Sequence, residues 1–271
     1  MNRIITDFAP ELPELEVYGK MPEHTLAHIY EPEPGVFIAE SPKVIMRAVN
    51  AGYEPLSVLA SDISGEAAEA LSLIEETSGG VDIFLTTEEQ IVSLTGFRPV
   101  RGALAAMRRR VLPSPEEVIR DCRRIAVFEG VVNPTNVGAM IRSAAALGID
   151  AVLLTSDCTD PLYRRAVRVS MGTVFQVKWT FLESARADID MLHKNGFACA
   201  AMALRSESVN IDERSLKGEE KLAVILGAEG DGLSDETISA SDYTVCIPMK
   251  NGVDSLNVAA ASALAFWETL K

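Results

Sequence analysis

Short apolar runs alternate with helix-like segments along most of the chain after residue 35. Three runs in the first half have the length and composition of buried strands: VFIAES (36–41), LSVLAS (56–61) and VDIFLTT (81–87). The segments between them, 41–52 and 65–80, end in glycine, which is typical of helices. This alternation predicts a small α/β domain over residues 36–111.

A second α/β pattern begins at the apolar run IAVFEG, residues 125–130. It continues through a polar loop, the helix-like VGAMIRSAAALG (137–148) and the run AVLLTS (151–156), an order that implies parallel strands. Further strands are predicted at TVFQVKW (173–179), FACAAMAL (197–204), LAVILGAE (222–229) and TVCIPM (244–249). A final helix is predicted over 256–271, so a domain of parallel α/β type spans 124–271.

The positions of the prolines predict two further segments, one before the first α/β pattern and one between the two patterns. Residues 1–35 hold five of the thirteen prolines and show little periodicity, which predicts an irregular N-terminal segment. That segment is acidic, with seven carboxylates against two basic residues. LPSPEEVIRDC has two prolines within four residues, which favours a linker over 112–123.

The net charge of −14 opposes binding to a polyanion, but the basic residues are clustered. Local patches, rather than total charge, decide where phosphates are held. The candidate phosphate-binding residues are Arg108, Arg109, Arg110, Arg164, Arg165 and Arg168. The alternative, held equally open for each cluster, is that these arginines coat helix surfaces.

The cysteine pattern and the hydropathy narrow the class of protein. Four widely spaced cysteines with no Cys-x-x-Cys predict buried free thiols in a reducing compartment rather than disulfides or zinc. No apolar run reaches about 18 residues, and the N-terminus lacks the layout of a signal peptide. We therefore expect a cytoplasmic protein that neither spans a membrane nor holds a metal; His24 and His28 lie in the irregular segment and are expected at the surface.

Three polar loops follow strands of the second pattern, and the first is EGVVNPTNVGAMIR, residues 129–142. Asn136 stands where a helix cap is expected, and Arg142 lies in an otherwise apolar helix. An arginine in such surroundings calls for an anionic partner. Because ligands gather at the carboxyl ends of parallel strands, both residues are candidates for a binding site. For Asn136, a purely structural cap remains the alternative.

The second loop, LGAEGDGL at 226–233, places Glu229 among three glycines, which permit a sharp turn and close approach to a ligand. Its spacing is not Gly-x-Gly-x-x-Gly, which disfavours a nicotinamide dinucleotide site. The third loop, IPMKNGVDSLNV at 247–258, brings Ser255 and Asn257 to the start of the last helix, which Asp254 or Ser255 can cap.

Taken together, these loops resemble the three motifs of the SpoU (TrmH-type) RNA methyltransferases of the SPOUT class. The matching stretches are NPTNVGAMIRSAAALG, LGAEGDGL and IPMKNGVDSLNVAAASALAFWE, and the resemblance covers roughly 124–271. Residues 36–111 also look like the small ribosomal-protein-like α/β domain that often precedes this one. The resemblance implies a parallel sheet tied in a trefoil knot, an S-adenosylmethionine site, and a homodimer that packs through 256–270 and places residues of both subunits around one cofactor.

The resemblance also implies roles for individual residues. Arg142 matches the catalytic arginine of the family, and Asn136, Glu229, Ser255 and Asn257 match its other catalytic-site positions. Cofactor contacts are implied for Gly227, Ile247 and Leu256, with Ala203 and Met249 nearby. VFQVKW departs from the family because it lacks a proline near the strand end.

The reaction implied is methyl transfer from S-adenosylmethionine to a ribose 2′-hydroxyl of structured RNA, with ribosomal RNA preferred over transfer RNA. A guanidinium is a poor base, since its pKa lies above about 12, so we expect Arg142 to clamp a phosphate and stabilise the developing alkoxide. Three alternatives remain: a SPOUT enzyme that methylates a base nitrogen, an RNA-binding module with weak or no catalysis, and, least favoured, a Rossmann oxidoreductase.

Overall fold

The apolar runs form two separate β-sheets in the computed structural model, which describes residues 1–19, 21–182 and 185–270. The strands are β1 (Arg3–Ile5), β2 (Val36–Glu40), β3 (Pro55–Ala60), β4 (Asp82–Leu85), β5 (Ala103–Arg108), β6 (Arg124–Glu129), β7 (Ala151–Thr155), β8 (Lys178–Leu182), β9 (Ala198–Met202), β10 (Val209–Asn210), β11 (Leu222–Gly227) and β12 (Tyr243–Cys246).

The helices lie between these strands in the order typical of α/β proteins. They are α1 (Glu23–His28), α2 (Pro42–Asn50), α3 (Gly65–Ser78), α4 (Glu88–Thr95), α5 (Pro115–Ile119), α6 (Pro134–Leu147), α7 (Arg164–Val169), α8 (Ala185–Lys194), α9 (Arg214–Gly218), α10 (Asp235–Ala240) and α11 (Val258–Thr269). No helix among the described residues is long and apolar enough to cross a membrane.

The chain divides into two units, of which the first comprises Met1–Val111 and Leu162–Gln176. Its sheet has the order β1-β4-β3-β5-β2, in which β5 runs antiparallel to both of its neighbours. Residues 36–111 contribute strands β2 to β5 and helices α2 to α4 of this unit, which also includes the N-terminal segment and residues 162–176.

The N-terminal segment differs from its prediction as an irregular stretch apart from the domain. Strand β1 pairs with β4, and Leu15, Tyr18 and Leu26 are buried in the core of the first unit. The Tyr18 hydroxyl lies 2.7 Å from the hydroxyl of Ser57 and accepts a hydrogen bond from the Ala106 backbone. Prolines break the periodicity of this segment, so its few buried side chains leave no regular signal in the sequence.

The second unit comprises Leu112–Pro161 and Val177–Lys271. Its seven-stranded sheet has the order β10-β12-β9-β11-β6-β7-β8, and every recorded pairing is parallel. The parallel sheet predicted over 124–271 is therefore confirmed. The strand predicted at 173–179 is displaced: residues 173–175 form a turn of 3₁₀ helix, and β8 begins at Lys178.

The predicted linker over 112–123 is a structured part of the second unit. Ser114 and Glu117 form a capping box at the start of α5. Val118, Ile119 and Cys122 are buried in the core of the unit, at 3%, 0% and 2% exposure. The two prolines that suggest a linker precede and open this short helix, where proline is well tolerated.

Candidate active site

A cavity of about 620 Å³ lies where β9, β11 and β12 end in the second unit. Its volume falls within the range of small-molecule sites. All five residues predicted to contact the cofactor line it, as do three of the predicted catalytic residues: Ala203, Gly227, Ile247, Met249, Leu256, Glu229, Ser255 and Asn257. The fold therefore gathers the second and third polar loops around one space.

The glycine loop that follows β11 is packed too tightly for side chains at its base. A Cβ atom on Gly227 would lie 2.3 Å from the carbonyl carbon of Gly232 and 2.5 Å from the nitrogen of Leu233. Gly230 and Gly232 have φ angles of 101° and 71°, in the region that favours glycine. The chain thus doubles back over a few residues and holds Glu229 at the rim of the cavity.

Asn257 joins the three polar loops through its side chain. Its Nδ2 donates hydrogen bonds to the Asn136 side-chain oxygen, at 3.2 Å, and to the Glu229 carboxylate. Its Oδ1 accepts from the backbone nitrogens of Ala259 and Ala260, at 3.0 and 3.3 Å, and so caps α11. Because Oδ1 of Asn257 accepts hydrogen bonds from the first turn of α11, its Nδ2 is oriented toward Asn136 and Glu229.

The helix caps differ from those expected. Asn257, rather than Asp254 or Ser255, caps α11, and Ser255 lines the cavity instead. Asn133, rather than Asn136, caps α6, where its side chain accepts from the Thr135 nitrogen at 2.9 Å. Asn136 is therefore free of a capping role, and its buried side chain is directed to Asn257.

Arg142 is separated from this group within the chain. It lies on α6 with Asn136, but six positions place the two side chains roughly 120° apart around the helix. Arg142 is exposed, does not line the cavity, and has no hydrogen bond or ion pair with any residue that the structure describes. The anionic partner expected for it is thus not supplied by the described part of this chain.

Glu129 belongs to the same edge of the sheet, although it was not among the site residues predicted from the sequence. It ends β6, and its carboxylate accepts from the Ser234 nitrogen at 2.8 Å and from the Thr237 hydroxyl at 2.5 Å. Ser234 caps α10, directly after the glycine loop. Glu129 therefore fixes the exit of that loop to β6; an acid at the end of an apolar strand was the only signal.

The arginine clusters fall in the first unit, where they have partners within the chain. Arg108 lies 2.7 Å from the carboxylate of Glu54. Arg168 lies 3.7 Å from that of Glu40, a side chain only 2% exposed. Arg164, Arg110 and Arg109 contact the Phe97 ring, the Tyr53 ring and the Val36 carbonyl, and Arg165 also has a partner. Part of their charge is thus balanced internally.

Comparison with known proteins places these features in one family. The model of the SpoU rRNA methylase family matches residues 123–267. A protein of Mycobacterium bovis named an uncharacterized tRNA/rRNA methyltransferase is 37% identical over 233 residues, which cover 85% of this chain and 79% of the relative.

Two solved structures show the same fold along nearly the whole chain. An AdoMet-bound rRNA methyltransferase from Sinorhizobium meliloti has a TM-score of 0.80 at 20% identity, and the match covers 98% of this chain and 97% of that one. An RNA 2′-O ribose methyltransferase has a TM-score of 0.74 at 24% identity, over 99% and 98% of the two chains. At these identities the likeness is one of fold.

Proposed function

Because the chain belongs to the SpoU rRNA methylase family, we propose that it transfers a methyl group from S-adenosylmethionine to a ribose 2′-hydroxyl of structured RNA. RNA methyl transfer with S-adenosylmethionine as cofactor follows from the family. The ribose as acceptor and ribosomal RNA as substrate are the finer parts of the proposal. The name of one structural neighbour, an RNA 2′-O ribose methyltransferase, supports the acceptor.

The cavity suits the cofactor in shape and chemistry. Ile247, Met249 and Leu256 supply apolar surface for an adenine ring, while Gly227 and Ala203 leave the backbone accessible for hydrogen bonds. S-adenosylmethionine supplies an activated methyl group on a sulfonium. The residues of this chain have to hold the acceptor oxygen in line with that methyl group, and most of the acceleration comes from this positioning.

The observation that carries the proposal is the hydrogen-bonded group formed by Asn136, Glu229 and Asn257 at the rim of the cavity. In this group, the hydrogen bond between Glu229 and Asn257 fixes the glycine loop to the start of the last helix. Asn136 offers its amide toward the acceptor, and Ser255, on the wall of the cavity, orients the ribose. Three loops distant in sequence thereby act on one substrate.

Arg142 has the role of clamping the phosphate beside the reacting ribose and stabilising the alkoxide that develops there as the 2′-hydroxyl proton is released to water. The oxygen bonds to the methyl carbon as the bond from that carbon to sulfur breaks, and neutral S-adenosylhomocysteine leaves. A guanidinium matches phosphate with two parallel hydrogen bonds, which a lysine cannot reproduce. Since Arg142 does not line the cavity of its own chain, we assign it to the site of a second copy in a homodimer.

The apolar face of α11 supports a homodimer through residues 256–270. Leu256, Leu264 and Trp267 are 38%, 46% and 55% exposed, at a spacing that places Leu264 and Trp267 on one side of the helix. Exposed apolar side chains grouped in this way mark an association surface.

The trefoil knot of the family is likewise proposed for the C-terminal part of the second unit.

The first unit is proposed to hold the RNA. Arg108, Arg109, Arg110, Arg164, Arg165 and Arg168 are its candidate phosphate contacts, exchanging their internal partners for phosphate. Such contacts position an RNA without reading its sequence, which suits a structured substrate.

Four free thiols accord with action in a reducing compartment, the cytoplasm.

The test is to incubate the protein with S-adenosylmethionine and RNA that lacks modifications, and then to identify the methylated nucleoside by digestion and mass spectrometry. A 2′-O-methyl nucleoside is expected. A methylated base would instead assign the chain to the base-methylating alternative. Cofactor binding without any product, with ribosomal and transfer RNA both offered, would favour an RNA-binding module.

A further inference from the structure

Three side chains of different chemistry meet at the end of the second sheet opposite the cavity. His193 lies near the end of α8, Cys199 is the second residue of β9, and Asp242 immediately precedes β12. One ligand atom from each lies within 4.8 Å of the other two. The His193 Nε2 atom is 2.9 Å from the Asp242 carboxylate. The fold thus brings the carboxylate of Asp242 to an imidazole and a thiol that lie 49 and 43 positions before it in the sequence.

The thiol of Cys199 differs from the other cysteines in having no partner. Cys199 is fully buried, and its sulfur makes no hydrogen bond with any residue in the described ranges. Each of the other thiols donates one, to the Val118 carbonyl from Cys122, to the Phe128 carbonyl from Cys158, and to the Asn210 side chain from Cys246. A buried polar group without a partner, directed at two potential ligands, points to something that binds there.

The surroundings keep this thiol protonated until a cation approaches. Burial, together with the nearby Asp242 carboxylate, raises the pKa of Cys199 to about 12. A bound divalent metal reverses that balance, because it stabilises the thiolate directly and displaces the proton to water. A bound metal ion therefore offsets the effect of burial and of the Asp242 carboxylate, which otherwise disfavour the thiolate form of Cys199.

We propose that His193, Cys199 and Asp242 bind a zinc ion. Thiolate, imidazole and carboxylate together are ligands of zinc, whereas magnesium and calcium take oxygen ligands only. Ligand atoms around tetrahedral zinc lie roughly 3.5 Å from one another, so small rotations of His193 and Asp242 complete the site. Both side chains are partly exposed, at 36% and 45%, which gives the ion a path of entry and leaves a fourth position for water.

The second layer of contacts is already in place. The backbone nitrogen of Cys199 donates to Oδ2 of Asp242 at 2.8 Å, and this bond fixes the carboxylate beside the sulfur. Hydrogen bonds that hold a ligating carboxylate in orientation are typical of metal sites. The other carboxylate oxygen, Oδ1, makes no hydrogen bond within the described part of the chain and is available to the ion.

The location indicates a stabilising role. The ion would tie α8 to the amino-terminal ends of β9 and β12, whereas the cavity lies at the carboxyl ends of the same two strands. Binding of zinc is therefore expected to raise the melting temperature while leaving the affinity for S-adenosylmethionine unchanged.

The experiment is a titration of the full-length, chelator-treated protein with Co²⁺, whose thiolate complexes absorb in the near ultraviolet. Wild type is compared with Cys199→Ala, His193→Gln and Asp242→Asn. Cys122→Ala is the matched control, since it also removes one buried thiol from the same core but belongs to no group of three potential metal ligands among the residues that the structure describes. His193 and Asp242 are partly exposed, so their variants retain the fold, which circular dichroism verifies.

Wild type and Cys122→Ala are expected to bind one equivalent of Co²⁺ with the thiolate band, and Zn²⁺ should displace it. Cys199→Ala should lack the band, and His193→Gln and Asp242→Asn should bind at least tenfold more weakly. Zinc should raise the melting temperature of wild type and not that of His193→Gln. Absence of a thiolate band from wild type at saturating Co²⁺, or an equal band in Cys199→Ala, would overturn the proposal.

Discussion

The amide nitrogen of Asn257 lies 3.2 Å from the amide oxygen of Asn136, two side chains separated by 121 positions in the sequence. Asn257 caps the last helix, while Asn136 lies in the first turn of α6. The same amide nitrogen also donates to Glu229. One side chain therefore determines how three loops of the site stand relative to one another, and its donor and acceptor functions can be separated by mutation.

Replacing Asn257 by aspartate should retain the helix cap and break the site. Aspartate keeps an oxygen for the Ala259 and Ala260 nitrogens, but it loses the donor and faces the carboxylate of Glu229. We expect turnover to fall by about tenfold to a hundredfold, the effect of losing a hydrogen bond to a charged group, with little change in melting temperature. Asn133→Asp, the same change at the cap of α6, is the control. Equal turnover in wild type and Asn257→Asp would contradict the role given to the donor.

Gly227→Ala should weaken cofactor binding. The added methyl group would lie 2.3 Å from the carbonyl carbon of Gly232, so the glycine loop has to shift. Overpacking of this kind costs about 1–3 kcal/mol, and we expect the Kd for S-adenosylmethionine to rise by about tenfold or more. Calorimetric titration measures it. Gly218→Ala is the matched control, because nothing lies within 4 Å of the position of its added carbon. An unchanged Kd in Gly227→Ala would show that the loop does not contact the cofactor.

Arg142→Ala should abolish most of the turnover without affecting stability. An exposed side chain without a partner among the described residues contributes within about 0.5 kcal/mol to the free energy of unfolding. Loss of a group that stabilises developing charge costs about 10²–10³-fold in turnover. Arg214→Ala, at another exposed arginine of the second unit, should leave turnover unchanged. Activity close to wild type in Arg142→Lys would exclude the bidentate clamp.

The sequence could predict the three loops because each follows an apolar strand, and parallel strands bring their carboxyl ends to one edge. It could not predict which amide caps a helix, since Asn133 and Asn136 lie within one turn and both suit a cap. Glu129 was missed because its partners, Ser234 and Thr237, are more than a hundred positions away. Only the folded structure shows that the Glu129 carboxylate accepts hydrogen bonds from these two residues.

Two further features could not be predicted because they depend on partners distant in sequence: the place of residues 162–176 in the first unit, and the group formed by His193, Cys199 and Asp242. Arg164 and Arg168 look like an isolated basic cluster, yet their partners Glu23 and Glu40 come from the start of the chain. His193 and Asp242 lie 49 positions apart and match no spacing of a metal motif. Local patterns carry information on elements and loops, whereas pairs formed between distant elements depend on topology.

A charge on the exposed face of α11 should dissociate the proposed dimer. Leu264→Glu places a carboxylate where a leucine is 46% exposed. We expect a monomer in analytical ultracentrifugation and a loss of turnover, because Arg142 would no longer reach a second site. Ile4→Glu, at a 51% exposed apolar residue on the edge strand β1, which β4 and β3 separate from β5, should change neither. A Leu264→Glu monomer with full activity would show that each chain supplies its own catalytic arginine.

The most direct measurement of the acceptor uses two RNAs that differ in a single atom. Once the modified nucleotide is mapped, the same RNA is prepared with 2′-deoxyribose at that position, and methyl transfer from labelled S-adenosylmethionine is followed for both. Transfer to the ribose RNA and none to its deoxy counterpart, with equal cofactor affinity, is the expected result. Continued transfer to the deoxy RNA at the mapped nucleotide would place the methyl group on the base and contradict the proposed reaction.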